Sequence, residues 1–325
     1  MAALAEPFSQ MPFPRVADLR DYRAHDLASV LTAEHREWSE TLDWDFGNSA
    51  ELVRKFVDQG GLNGAVLLVG GGVQGYAYYV FEDGKGLIGD LYVKPEYRTP
   101  VHEALLLNTV MDQIAAIGGV PRAEAQILML SAELDRPARH WSGYQVFRRA
   151  FLGLKLPMGL AMEERTLAPY IALQLWGTQD QEQAAHLIPA TYEGHTDSLI
   201  NDQYRDLAGA RKFLHNIVQF PGCGVFDAAA SIAAYDRRDG RMCGMVLSSM
   251  VGPGSGHITQ LCVHPEYQRG GLGHELLRHA LALLAAEGCR TVSLTVTTEN
   301  RTARMLYERI GFRVLRKFAA YVWEP

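Results

Sequence analysis

The chain contains itself twice, and this fixes its organisation before any other feature is weighed. GLIGDLYVKPEY, from Gly86 to Tyr97, lines up without a gap on GHITQLCVHPEY, from Gly256 to Tyr267. The Gly, Ile, Leu, Val, Pro, Glu and Tyr positions are identical. Each stretch is followed by His-Glu and leucine, in His102-Glu103-Ala104-Leu105 and in His274-Glu275-Leu276-Leu277. Farther on, Gly143 to Arg149 matches Gly311 to Lys317, and near the starts LRDYRAHD (Leu19 to Asp26) resembles LQLWGTQD (Leu173 to Asp180). Convergent strand and turn composition is the competing explanation, but four blocks in one order favour duplication. At ~100–200 residues per domain, 325 residues make two domains. The expected limits are 1–165 and 166–325, with the boundary between the polar run MEERT and the apolar run YIALQLW.

Each half reads alike. A strand opens it, and amphipathic helices follow, as at Asp180 to Leu187 and Tyr204 to Ile217. Strands are expected at Ser231–Tyr235, Gly244–Met250 and His257–Val263, bounded by Asp-Gly and Gly-Pro-Gly turns. A helix from Gly273 to Glu287 carries the apolar stripe Leu276, Leu277, Ala280, Leu281, Leu283 and Leu284, and Gly288 stops it. Then come a strand at Thr291–Thr297, a short helix at Arg301–Ile310 and a last strand toward Trp323. The interleaving implies an α/β (α+β) class, with a mixed central sheet flanked by helices in each domain.

A net charge of −6 argues against nucleic acid as a partner. No apolar run reaches the ~20 residues that span a bilayer, so no membrane association is expected. Met1 to Pro14 reads as a loose leader, not a signal peptide. Four cysteines without CxxC spacing suggest neither disulfides nor a metal site, and fit a cytoplasmic setting.

The sharpest local feature is Gln268-Arg269-Gly270-Gly271-Leu272-Gly273, between a strand and a helix. Glycines clear space for close approach. The first turn of the helix behind them offers unpaired N–H groups and a positive dipole end. That is an anion cradle suited to a diphosphate, and the Arg269 charge adds to it. Gln-x-x-Gly-x-Gly after LCVHPEY, then a helix, then Asn300-x-x-Ala303-x-x-x-Tyr307-x-x-x-Gly311-Phe312 resembles the GNAT (Gcn5-related) N-acetyltransferases. The strong motifs cover Gly244 to the C-terminus. The tandem layout is similar to that of the mycothiol synthases.

The resemblance implies an acyltransferase with acetyl-CoA as co-substrate and no metal. It implies loop contacts to the diphosphate from Gln268, Arg269, Gly270, Gly271, Leu272, Gly273 and His274. It implies strand-like contacts to the pantetheine arm from the main chain of Leu261, Cys262 and Val263, and a further contact from Asn300. It also implies direct transfer, with Tyr307 as general acid and main-chain N–H groups near Cys262 and Val263 facing the developing oxyanion. At the start of the central strand, where many relatives place a glutamate base, this sequence has His257. A histidine titrates near neutrality and is the expected base, with Glu299 a weaker alternative. Cys262 as nucleophile is rejected, because no neighbouring histidine would activate it.

The polar run after the first helix of the second half supplies the expected acceptor contacts, Glu193, His195, Asp197, Asn201 and Tyr204. Helix capping is the competing role for this run. The acceptor is expected to be a small-molecule amine, and the protein a monomer or homodimer. Alternatives are acetylation of a protein N-terminus or lysine, and a non-catalytic acyl-CoA sensor.

The first copy departs at the loop. Arg98-Thr99-Pro100-Val101 is two residues shorter, contains no glycine, and loses a donor at Pro100. The position matching Tyr307 falls near Arg139. This half is expected not to bind acetyl-CoA. Two other patterns are rejected. Gly70-Gly71-Gly72-Val73-Gln74-Gly75 fits a dinucleotide string, but strand-like YAYYVF follows it, so it reads as a hairpin turn. His274 and His279 lack the i, i+4 spacing of a zinc helix.

Overall fold

The computed structural model describes residues 13–130, 143–156, 162–219 and 222–324. Most of the leader and the stretch around Arg139 lie outside the described residues. The chain forms two compact units. The first comprises Met1–Glu34, Ala50–Gln145 and Trp323–Pro325; the second comprises His35–Ser49 and Val146–Val322.

The first unit orders its strands β1 (Arg15–Asp18), β2 (Asn63–Val69), β3 (Gly72–Glu82), β4 (Lys85–Val93) and β5 (Ala123–Ile127) in sequence. The first four pair antiparallel. β4 and β5 pair in parallel, as the intervening helix requires. Its helices are α3 (Pro100–Ile117), the first part of α1 (Ala24–Leu42) and most of α2 (Gly47–Asp58), the stretch His35–Ser49 belonging to the second unit. The glycine string between β2 and β3 is a hairpin: Val69 faces Gly72 across Gly70 and Gly71, both at positive φ.

In the second unit the strand order is β12 (Arg313–Trp323), β6 (Tyr144–Lys155), β11 (Thr291–Thr297), β10 (Ser255–Val263), β9 (Met242–Gly252), β8 (Val225–Asp236) and β7 (Ile171–Leu175). β10 and β11 are parallel, and β6 runs antiparallel to β11. The helices are α4 (Asp180–Tyr192), α5 (Asp197–Ile200), α6 (Leu207–Gln219), α7 (Leu272–Ala286) and α8 (Arg301–Ile310). On α7, Leu276, Leu277, Ala280, Leu281 and Leu284 are fully enclosed in one core with Val292, Leu294 and Phe312. Burying each such leucine is worth about 1.5–3 kcal/mol.

The compact units do not coincide with the limits read from the repeat. β6 carries the closing block of the first copy, yet its Arg149–Lys155 segment pairs with Thr297–Thr291 of β11 in the second unit. A strand's sequence fixes its alternation, not which open edge it joins.

The duplication is visible in detail. Between Ile88 and Asp90 the β3–β4 register slips by one residue, leaving Gly89 unopposed. Between Ile258 and Gln260 the β9–β10 register slips likewise, leaving Thr259 unopposed. The two β-bulges occupy matching repeat positions. Gly86 and Gly256 match as well. A Cβ on Gly86 would lie 3.0 Å from Ile114 of α3, and one on Gly256 would lie 3.1 Å from Leu284 of α7. Each repeat therefore needs glycine where its long helix crosses the sheet.

Past its bulge the first unit buries a carboxyl pair. The Tyr76 hydroxyl donates to Glu34 at 2.8 Å and approaches Asp90 at 3.3 Å, and Glu34 and Asp90 are both buried. Burial raises the Asp90 pKa, against the lowering effect of its hydrogen bonds. A raised folded-state value means the stabilising contribution is present at low pH and is lost as pH rises. Asp90→Asn replaces the titrating group by a neutral amide. Its melting temperature relative to the parent should be highest at pH 8 and fall toward pH 4, read by calorimetric scans across that range.

Candidate active site

The bulge at Thr259 creates the opening. β10 pairs with β11 from Ser255 to Ile258 only, whereas β11 continues along β6 to Thr297. Gln260 to Val263 stay bonded to β9 on the other side. Their main-chain groups facing β11 are therefore left without a ladder partner, and an unpaired edge of this kind accepts an extended ligand as an added strand. Leu261, Cys262 and Val263 lie on this edge.

The loop after β10 has the geometry of an anion cradle. Gly271 precedes α7 at φ 84, and no side chain caps the helix start. A Cβ on Gly270 would meet nothing nearer than the Tyr267 carbonyl at 3.8 Å, so the space above it is open. Arg269 is itself left-handed, at φ 65, a conformation that costs a non-glycine residue about 1 kcal/mol. The Gln268 amide donates to the Val263 carbonyl at 3.0 Å and ties the loop to the strand end. His274 lies against Glu275, 3.2 Å away, and a Cβ on Gly273 would stand in ordinary contact with Val263 and Leu306. The residues present fit a diphosphate.

The matching helix in the first unit is closed. Thr99 caps α3 by accepting the His102 N–H at 3.2 Å, and Pro100 opens the helix. One donor is satisfied and another is absent, so the feature that makes an anion site is lost.

Several expected residues converge beyond the bulge. Tyr307 on α8 is 7% exposed, edge-on to Phe312. Its hydroxyl makes no hydrogen bond among the described residues. Burial, then the charge of Asp197, push its pKa well above the phenol value, so it stays protonated as a donor must. Asp197 opens α5 and accepts from the Thr297 hydroxyl at the end of β11. His195 accepts the Asp197 N–H at 3.1 Å. Tyr204 stacks on Tyr192 at 4.5 Å and donates to the Gln260 carbonyl oxygen at 3.3 Å, while the Gln260 amide donates to the Tyr192 hydroxyl at 3.0 Å.

Other expected residues have structural tasks. Asn300 caps α8, accepting the Ala303 N–H at 3.1 Å. Asn201 caps the turn at Asp202–Tyr204. Glu193 is exposed at the end of α4. Cys262 is enclosed, and burial pushes its thiol up to about 12, which disfavours a thiolate.

His257 departs from the expectation of a base. It is 5% exposed, with its ring 5.0 Å from Trp44 and 5.9 Å from Phe151, and Nδ1 lies 2.8 Å from the Ser293 hydroxyl. Burial and then the Arg149 charge depress its pKa to about 3. An imidazole so enclosed is a packing group and a poor proton acceptor.

The sequence places Tyr192 at the head of the acceptor run without giving it a role, and it leaves out Gln260 and Thr297. A lone amide in the apolar strand HITQLCV was a readable signal for Gln260. The Thr297 contact depends on where α5 docks and carried none.

Among the described residues no cluster of His, Cys, Asp or Glu could hold a metal ion, and no helix is long and apolar enough to cross a membrane.

The fold and site define an acyl-CoA-type transferase, and the comparisons agree. The family model of the acetyltransferase (GNAT) family matches residues 196–312. A mycothiol acetyltransferase of Streptosporangium roseum is 30% identical over 291 residues, spanning 77% of this chain and 82% of that protein. The chain belongs to the GNAT acetyltransferase family. It is an acetyl-CoA-dependent N-acetyltransferase. A GCN5-related N-acetyltransferase from Sphaerobacter thermophilus shares its fold with a TM-score of 0.65 at 18% identity, covering 96% of this chain and 95% of that one. A tandem GNAT protein from the clavulanic acid biosynthesis pathway matches with a TM-score of 0.55 at 16% identity, covering 96% and 98%.

A depressed histidine pKa stabilises the fold above the ordinary value of 6.5, and the contribution is lost as pH falls from there toward 3. In His257→Gln the decline of the melting temperature between pH 6.5 and pH 4 should be shallower than in the parent.

Proposed function

We propose that the chain transfers the acetyl group of acetyl-CoA directly to the nitrogen of a small-molecule amine, in the second repeat only. The observation that carries this reading is the contrast between the two long helices. α7 starts uncapped behind an open glycine, and α3 starts with Thr99 as its cap and Pro100 in its first turn. The likeness to a mycothiol acetyltransferase over most of the chain supports a small acceptor. The reaction is placed in the cytoplasm.

Acetyl-CoA supplies an activated thioester acyl group. Arg269 to His274 hold the diphosphate through their N–H groups and the start of α7. Leu261, Cys262 and Val263 hold the pantetheine arm through the free edge of β10, and the N–H groups that face this edge stabilise negative charge developing on the carbonyl oxygen. Asp197 holds the acceptor's ammonium and takes one proton, freeing the lone pair that forms the C–N bond. As the C–S bond breaks, Tyr307 gives its proton to the leaving sulfur and is reprotonated by the second proton that the acylated nitrogen sheds. Tyr192 and Tyr204 wall the acceptor, His195 steadies Asp197, and Asn300 fixes the start of α8 and so the position of Tyr307.

Tyr307→Phe should lower kcat by about 10²-fold or more with acetyl-CoA affinity unchanged, in thiol-release assays across a panel of amines. Turnover equal to the parent would remove Tyr307 from the mechanism. Thiol release that no amine stimulates would identify a sensor instead of an enzyme.

Gly270→Glu tests the loop without backbone strain, since Gly270 is not at positive φ and has open space beside it. A carboxylate facing the diphosphate should cost at least tenfold in acetyl-CoA affinity by calorimetry, about 1.4 kcal/mol or more.

A further inference from the structure

The segment joining the two repeats is docked on α7. Met162 and Leu167 pack against the second unit's core. Glu164 lies 3.7 Å from Arg278. The Arg165 N–H donates to Glu275 Oε1 at 2.7 Å. Glu275 is buried in the first turn of α7. Burial raises its pKa, but hydrogen bonds from Arg278, the Arg165 N–H and His274 outweigh that and hold it ionised. This anchor brings Arg165 to the cradle: its Cβ lies 3.3 Å from where a Cβ on Gly271 would stand. The Arg165 side chain is 41% exposed, and its guanidinium rests on Glu163 at 2.8 Å. Glu163 is 72% exposed, so this is a weak surface ion pair and is easily exchanged.

We infer that Arg165, from the segment between the repeats and outside the glycine loop, is a second cation for the acyl-CoA diphosphate. The inference rests on the cofactor reading above. The main-chain donors of the loop and of α7 approach the diphosphate from the helix side, and Arg165 closes over it from the linker side. A guanidinium presents a planar fork of donors that matches phosphate oxygens in pairs, whereas exposed Glu163 offers it only a weak partner. The charge is also needed locally. Glu275 places a buried negative charge close to the helix start, and a diphosphate arriving there meets less repulsion with Arg165 beside it. The linker thus belongs to the cofactor site as well as to the chain's connectivity. No counterpart follows from the glycine motif, because the residue lies more than a hundred positions upstream of the loop.

The test separates the diphosphate from the rest of the donor. Coenzyme A binding is measured by calorimetry for the parent, Arg165→Ala, Arg165→Lys and Arg165→Glu. Turnover is measured with acetyl-CoA and with acetyl-pantetheine, which has no diphosphate. Arg165→Ala keeps the main-chain bond to Glu275, so its melting temperature should stay at the parent value. It should weaken coenzyme A binding roughly tenfold, Arg165→Glu more and Arg165→Lys less. Its kcat/KM with acetyl-pantetheine should equal the parent's. Parent-like coenzyme A affinity in Arg165→Ala, or an equal loss with acetyl-pantetheine, overturns the inference and leaves the cofactor reading standing. A parent protein that does not bind coenzyme A, or Gly270→Glu binding as tightly as the parent, overturns the cofactor reading itself.

Discussion

One unopposed residue, Thr259, determines what the second unit can do. A regular parallel ladder would bond β10 to β11 along its whole length and leave nothing to offer a ligand. The extra residue ends that ladder after Ile258, while β9 keeps holding β10 from the other side. The strand is thus rigid on one edge and vacant on the other. The polar side chains that follow, Gln260 with Tyr192 and Tyr204, are bonded to one another, so the opening does not collapse into the core. Asp197 and Tyr307 reach it from α5 and α8, which belong to opposite ends of the repeat's sequence.

The first unit shows what the same scaffold becomes without a loop. It keeps the bulge, at Gly89, and the glycine under its long helix, at Gly86. It keeps a buried acid in the first turn of that helix, Glu103, matching Glu275. What it lacks is an unsatisfied helix start, because Thr99 and Pro100 use or remove those donors. Behind its bulge stands a carboxyl pair under Tyr76, with Asp90 at the repeat position that Gln260 holds in the other copy. The scaffold residues have persisted, and the groups that would face a ligand have not.

Much of this was legible in the sequence, for physical reasons. Thr291–Thr297 and Arg301–Ile310 end where their alternation or helical stripe ends, at turn residues and at Gly311. The loop was legible because an anion cradle needs bare main chain, and bare main chain is written as glycine. His257 was misread because a strand position carries no record of its neighbours: Trp44, far away in sequence, turns it from a titrating group into an aromatic one. The Asp197 to Thr297 bond and the place of β6 were not readable either. Both depend on how segments dock, whereas patterning reports only on the segment itself.

The position of β6 bears on how the gene can be cut. A fragment starting at residue 166 would contain every motif of the transferase yet leave β11 with a naked flank where β6 belongs, and would lack the Trp44 segment that covers His257. An exposed sheet edge of that kind invites self-association. The first copy thus lends β6 to the second unit's sheet, and the seam that the sequences show is not the border of a compact unit.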